Sequence, residues 1–181
     1  MKIVRESLFE AFREESDPIE DMGIGQKAII KQWFETWAPK IKYTIDDDFN
    51  IKVGGSLDLR GTPITELPDN LSVGGWLDLQ ESKITKLPDN LRIAGFLDLR
   101  GTQITELPDN LSVGGWLDLS GTKITKIPDN LHVKGSLYII GTKITKLPDN
   151  LSVGGSLDLQ GTQITKLPKS LKVKGEILKD F

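Results

Sequence analysis

Aspartate recurs at one position of a repeating segment, as Asp58, Asp78, Asp98, Asp118 and Asp158, with Tyr138 in the remaining copy. Each acid follows a Leu or, at Tyr138, its aromatic stand-in does, so strand alternation turns the leucines to one face and the acids to the other. Copies stacked as neighbouring strands bring successive carboxyl groups to ~4.8 Å. That separation resembles the roughly 5 Å of the carboxylate pair in retaining glycosidases. A catalytic pair, however, needs two environments that hold one acid protonated and the other ionised, and repetition supplies equal ones. Calcium takes about six to eight oxygens in a closed shell, more than a flat ladder of single carboxylates offers. Asp46-Asp47-Asp48 lacks the spacing and the glycine of a calcium loop and reads as a solvated turn. The lone histidine, His132, falls on the solvent side of a strand with no second ordered partner for a Ser/His/Asp set. The chain has no cysteine, which removes disulfides, thiolate zinc sites and a cysteine nucleophile. Gly23-x-Gly25-x-Lys27 does not make the GxxxxGK[ST] phosphate loop. The expectation is a non-enzyme without cofactor or metal.

Binding chemistry is better represented. The row before the acids reads Ser56, Trp76, Phe96, Trp116, Ser136 and Ser156, and the row after them Arg60, Gln80, Arg100, Ser120, Ile140 and Gln160. One face should therefore carry an aromatic strip beside an acidic strip, with two arginines. Clustered exposed aromatics mark interaction surfaces, and Trp, Tyr and Arg dominate binding hot spots. Same-face aromatic contacts that merely stabilise a sheet, at roughly 0.2–1 kcal/mol per pair, are the plainer explanation of the strip. Adjacent carboxylates repel by roughly 1 kcal/mol per pair in water, so Arg60 and Arg100, a basic partner or a cation must offset them. The candidate partner-binding set is Trp76, Phe96, Trp116, Asp78, Asp98, Asp118, Tyr138, Arg60 and Arg100. Nucleic-acid binding would need aromatics interleaved with a basic face; here they lie with the acids, and the net charge is −3. The lysines at 83, 123, 143, 86, 126, 146 and 166 form a stripe relieved by Glu66 and Glu106, which reads as solubility. The threonines at 65, 85, 105, 125, 145 and 165 form a single row flanked by Lys and Glu, a poor face for ordering ice.

These rows depend on a coil of fixed length. Leu71-Ser-Val-Gly-Gly-Trp-Leu-Asp-Leu-Gln80 returns, edited, every 20 residues, separated by segments like Gly101-Thr-x-Ile-Thr-x-Leu-Pro-Asp-Asn110. A fixed period of this size marks a solenoid. Leu71, Val73, Gly75, Leu77 and Leu79 alternate as one strand, Gly-Thr turns the chain, and Leu-Pro-Asp-Asn makes a second corner, where Asn tolerates the left-handed conformation. The coil leaves no room for a full helix. The expected fold is a mostly β repeat solenoid of stacked parallel strands with a small α-helical N-terminal cap. Residues 1–44 form the helical segment and cap. Residues 45–181 hold about six 20-residue repeats and a partial terminal coil. Within the first part, about 3–14 reads as an amphipathic helix, Asp17-Pro18-x-Glu20 as a helix start, and Gly23 and Gly25 as a break. Ile29, Ile30, Trp33, Phe34 and Trp37 form a stronger helical stripe ended by Pro39.

The spacing Leu97-x-Leu99-x-x-Thr102-x-Ile104-x-x-Leu107-Pro108 resembles the leucine-rich repeat LxLxxNxLxxLP, and the period resembles the short repeats of bacterial leucine-rich effectors. The likeness covers residues 51–175 in six copies. It implies that the residues between strand leucines face the concave surface. The family's buried Asn is replaced by Thr62, Ser82, Thr102, Thr122, Thr142 and Thr162, whose hydroxyls could form a ladder from coil to coil. Val-Gly-Gly lengthens the strand, which brings the coil nearer a β-solenoid than a horseshoe with helices. The effectors often add a ligase domain with a cysteine nucleophile; this chain has neither. Residues 16–25 resemble the openings of uncharacterised bacteriophage proteins.

The expected function is a non-catalytic scaffold that binds a macromolecular partner, a protein, through the aromatic and acidic face. One alternative is a structural or virion-associated spacer docked by its N-terminal 25 residues; another is glycan binding on the aromatic strip. Residues 1–25 carry a net −4 and residues 166–181 a net +3. The terminal lysines protect a strand edge, or the ends associate head to tail, so the state is a monomer or a weak head-to-tail assembly. No signal peptide and no apolar run of ~20 residues is evident. The expected location is cytoplasmic, with a virion or infected host cell as the setting that the phage resemblance implies.

Overall fold

The computed structural model describes residues 22–129 and 131–180. The chain divides into two compact units, residues 1–40 and 41–181. In the first, one helix, α1 (Met22–Trp37), is described. Ile30, Trp33 and Phe34 form its buried stripe, with Ala38 just beyond it, and Trp33 meets Phe34 edge-on at 5.0 Å. The helix stops ahead of Pro39, as the sequence suggests. Gly23 and Gly25 do not break it. A helical glycine costs about 1 kcal/mol relative to Ala, a penalty and not a prohibition. The expected helix near 3–14 and the Asp17-Pro18 start lie outside the described residues.

The second unit is a parallel β-solenoid of about six coils. Its first sheet contains β1 (Tyr43–Ile45), β2 (Ile51–Val53), β4 (Leu71–Val73), β6 (Arg92–Ile93), β8 (Ser112–Val113), β10 (His132–Val133), β12 (Ser152–Val153) and β14 (Lys172–Val173). Its second contains β3 (Leu57–Asp58), β5 (Leu77–Asp78), β7 (Leu97–Asp98), β9 (Leu117–Asp118), β11 (Leu137–Tyr138), β13 (Leu157–Asp158) and β15 (Ile177–Leu178). Every pairing is parallel and in register at the 20-residue period, except that β1 runs antiparallel to β2. That pairing places residues 41–44 with the solenoid, a few residues ahead of the expected boundary. The Asp46 carboxylate shapes the β1–β2 turn, accepting the amides of Asp48 (3.0 Å) and Asn50 (2.9 Å).

The expected single strand is two strands. The chain bends at each Gly-Gly-x, sending Leu71 to Val73 into one sheet and Leu77 and Asp78 into the other. The bend survives because the second of these glycines, from Gly75 onward, lies against the coil before it. A Cβ on Gly135 would sit 2.6 Å from the Gly115 carbonyl carbon and 2.7 Å from the Trp116 nitrogen. The first glycine of the pair follows a two-coil rule. From the second coil on it is Gly in coils that open Leu-Ser-Val (74, 114, 154) and Ala94, Lys134 or Lys174 in the coils that follow them; the first coil also has glycine, Gly54. A Cβ on Gly114 would meet the Ala94 carbonyl oxygen at 2.2 Å, and one on Gly154 the Lys134 oxygen at 2.1 Å. A coil that carries a side chain at this corner thus requires glycine in the next.

Leucines, isoleucines and valines from every coil fill the space between the sheets; Leu57, Leu77, Leu97, Leu117, Leu137 and Leu157 are fully buried. The expected hydroxyl ladder is not formed. Each Thr hydroxyl donates within its own coil, to the carbonyl three residues back, as Thr102 to Leu99 (2.7 Å) and Thr142 to Ile139 (2.8 Å). This local turn bond uses the donor before a neighbouring coil can. Left-handed Asn occurs at Asn70 (φ 55°) and Asn90 (φ 60°). At later corners the turn closes by hydrogen bonds such as Leu111 N–H to the Pro108 carbonyl (3.2 Å).

One coil departs from the turn rule. Where the others have Gly-Thr, it has Glu81-Ser82. Glu81 adopts φ 56°, the region its counterparts Gly61, Gly101, Gly121, Gly141 and Gly161 occupy without a side chain. The Ser82 hydroxyl is buried and makes no hydrogen bond. The double change Glu81→Gly, Ser82→Thr is expected to raise stability by about 1–2 kcal/mol, by removing left-handed strain and pairing the hydroxyl. Urea unfolding measures it; a midpoint that does not rise would remove both arguments.

Candidate functional site

The corner after Gly-Gly sets the aromatic row, the second sheet sets the aspartates, and the following turn sets the third row. Trp76, Phe96 and Trp116 are half-buried and lie one above another. Trp76 and Phe96 stack with centroids 5.3 Å apart and planes 2° from parallel; Phe96 and Trp116 stack at 4.1 Å and 4°. Tyr138, displaced into the middle row, meets Trp116 edge-on at 6.4 Å. The parallel register places the rings one coil apart, within stacking range. Where the row is serine, backbone contacts take over: the Ser56 hydroxyl accepts the Trp76 amide (3.1 Å) and the Ser136 hydroxyl the Ser156 amide (3.0 Å).

The acidic row is not the exposed strip the alternation suggests. Asp98 is 1% exposed, Asp158 6% and Asp78 9%. Each carboxylate curls back, and its Oδ1 accepts the amide two residues on: Gln80 for Asp78 (3.0 Å), Arg100 for Asp98 (3.0 Å), Ser120 for Asp118 (2.9 Å) and Gln160 for Asp158 (3.0 Å). This is the turn bond aspartate characteristically makes, and it accounts for the conserved letter within the repeat without any partner.

The arginines offset the remaining charge. Arg60 holds Asp58 in a two-pronged contact, Nε to Oδ1 at 2.9 Å and Nη2 to Oδ2 at 2.7 Å, and its Nε lies 3.5 Å from Asp78 of the next coil. Arg100 grips Asp98 in the same way (Nη2 to Oδ2, 2.6 Å), reaches Asp118 at 3.6 Å and donates to Gln80 Oε1 at 3.3 Å. Two arginines thus serve four acids, each bridging its own coil and the next. The Arg60 hydrogen bond lowers the Asp58 carboxyl below its usual range. Burial raises Asp78 above it, with the Asp98 charge adding to the effect. Both guanidinium groups are held more firmly protonated, first by the hydrogen bonds they donate to Asp58 and Asp98.

The accessible chemistry is therefore different from the letters. The Arg60 and Arg100 side chains are 57% and 45% exposed, whereas those of Asp78, Asp98 and Asp118 are 12%, 2% and 15%. The face shows aromatic edges and guanidinium groups, with the acids beneath. Ile140, 38% exposed, extends the apolar strip from the third row. The sequence placed it outward in that row, and it is exposed there. Its neighbour in the preceding coil, Ser120, has a hydroxyl that is buried and unpaired. The site residues Trp76, Phe96, Trp116, Tyr138, Asp78, Asp98, Asp118, Arg60 and Arg100 do come together, but the aspartates are supports.

Among the described residues no group of three or more His, Asp or Glu side chains is placed to hold a metal ion, and no helix is long and apolar enough to cross a membrane. His132 is exposed on β10. The site and the coil define a class, a parallel β-solenoid that presents side chains in rows. Comparison with protein-family models, curated proteins and solved structures finds no match to this chain.

Proposed function

We propose that the chain is a non-catalytic scaffold that captures a protein partner on the strip Trp76–Phe96–Trp116–Tyr138, flanked by Arg60 and Arg100. The observation that carries this reading is the fixed, half-exposed aromatic stack beside two arginines already clamped by carboxylates. Side chains ordered before binding lose little freedom on association, and aromatic and Arg anchors supply most of the energy of typical protein interfaces. Stacking occupies the faces of the central rings and leaves their edges outward. Edges pack against side chains, whereas a sugar ring needs an open aromatic face; this favours protein over glycan at this strip.

The test is affinity capture with the full chain beside the Trp76→Ala, Trp116→Ala variant. Binding is expected to fall at least roughly tenfold, the effect of losing a hot spot of about 2 kcal/mol, while circular dichroism keeps the β signal. Undiminished capture would move the interface elsewhere. Deleting residues 1–25 addresses the spacer alternative, since capture through the strip survives that deletion and docking through the N-terminal segment does not.

A further inference from the structure

We propose a second, separate binding surface: the outer row of the first sheet takes an extended anionic polysaccharide. The residues that β2, β6, β10 and β14 turn outward are Lys52, Arg92, His132 and Lys172, and all four are exposed. The coils between them carry Ser72, Ser112 and Ser152 at the same position, in register with their neighbours. The row contains no acid from one end to the other. Lys134 and Lys174, exposed at the adjoining corner, add two more cations to the same alternate coils.

Three observations point to an anionic ligand. Among the described residues no carboxylate pairs with Lys52, Arg92 or Lys172, in contrast to Arg60 and Arg100, which hold acids on the other sheet. With Lys134 standing in the coil whose row residue is His132, a cation recurs in every second coil, a coil spacing of roughly 9.6 Å that weakens mutual repulsion and sets out charge in a line. The row crosses seven strands, on the order of 29 Å, the footprint of a linear polymer and not of a single ion.

The remaining chemistry selects the polymer. No aromatic side chain stands in this row, so the stacking platforms that hold single-stranded nucleic acid are missing. No exposed apolar anchor stands in this row for a peptide. Serine hydroxyls lie between the cations; the adjoining corner carries exposed Asp69, Asp89 and Asp109 beside Asn70, Asn90 and Asn110, so an anionic chain would follow the strand row and not that corner. Charge alternating with neutral donors and acceptors suits a chain whose acidic groups are separated by hydroxyls, as in sulfated or uronate-containing glycans. The protein carries a net −3, so indiscriminate attraction to polyanions is not expected and binding must come from a local face.

The experiment titrates the full chain against a fluorescent heparin oligosaccharide by anisotropy, with uncharged dextran and poly-U RNA as comparators. The row variant is Lys52→Ser, Arg92→Ser, His132→Ser, Lys172→Ser, which installs the residue that alternate coils already carry; Arg92→Ser, His132→Ser alone is a milder second variant. The charge control is Lys83→Gln, Lys123→Gln, Lys143→Gln, which installs the residue found at Gln103 and Gln163. The expected result is saturable, salt-sensitive heparin binding that falls roughly tenfold or more in the row variant, falls less in the double variant, and stays within about twofold in the control. The proposal is overturned by no saturable binding, by equal losses in row variant and control, or by RNA binding as tight as heparin. The aromatic strip is untouched in all these variants, so the outcome is independent of the capture experiment above.

Discussion

Gly135→Ala is expected to destabilise the solenoid by about 3 kcal/mol, near the upper end of overpacking penalties. The added methyl would lie 2.6 Å from the Gly115 carbonyl carbon, 2.7 Å from the Trp116 nitrogen and 2.8 Å from the Gly115 oxygen. All three atoms are backbone, so relief requires the two coils to part. Parting them stretches the Gly135 N–H to Gly115 carbonyl bond (3.0 Å) and disturbs the base of the aromatic stack. Gly55→Ala supplies the control. Gly55 holds the same place in the first coil, and a Cβ there meets nothing within 4 Å. Its cost should stay within about 0.5 kcal/mol, the range of an ordinary surface change. Urea unfolding of both variants measures the difference. Equal midpoints would show that coil-on-coil approach is not what requires the glycine.

Asp98→Ala should cost a similar amount, about 3 kcal/mol. The carboxylate is 1% exposed, accepts the Arg100 amide and takes both Nε and Nη2 of the Arg100 guanidinium. Truncation leaves the part-buried Arg100 amide without its acceptor and frees the Arg100 side chain from its carboxylate. Asp58→Ala removes the same letter where the side chain is 44% exposed; as a solvent-screened pair it should cost below about 1 kcal/mol. Thermal melts of the two variants separate the explanations. If both are equally mild, the row is a charge pattern on a surface. If Asp98 alone is severe, it is part of the coil's construction.

The period, the parallel stacking and the inward leucines were legible because each depends on spacing alone, and 20 residues cannot enclose a core in many ways. The Gly-Gly bend was harder. Leu71 to Leu79 alternates without interruption, and alternation is blind to a rotation of the backbone between Val73 and Leu77. The glycines carried the signal, since they leave no side chain where the chains approach most closely. The aspartates misled for a related reason. Alternation does send them to the outer face, but a side chain this short can curl to the amide two residues on, and Asp-Leu-x ahead of Gly-Thr is a turn signature as much as a charge row. Tyr138 and Ile140 interrupt both rows in one coil; the sequence placed Tyr138 on the binding face, but its edge-on contact with Trp116 across rows followed only from the register of the coils. The Thr62-type row was correctly placed inward, while its bonds stayed within one coil because the carbonyl three residues back is the nearer acceptor.

The two-coil rule at the corner has a consequence for how a chain of this kind can change length. Removing residues 111–130 would set Lys134 directly on Ala94, at a corner where a Cβ meets the preceding carbonyl oxygen at 2.2 Å. Removing 111–150 would instead set Gly154 on Ala94, the place that Gly114 holds. Side-chain-bearing corners therefore cannot stack directly on one another, whereas glycine corners can, as Gly54 and Gly74 do in the first two coils. Duplicating a coil with Ala or Lys at this corner by itself meets a steric mismatch; duplicating it together with its glycine-bearing neighbour avoids that, and preserves the alternation of cation and serine along the first sheet as a by-product of corner geometry.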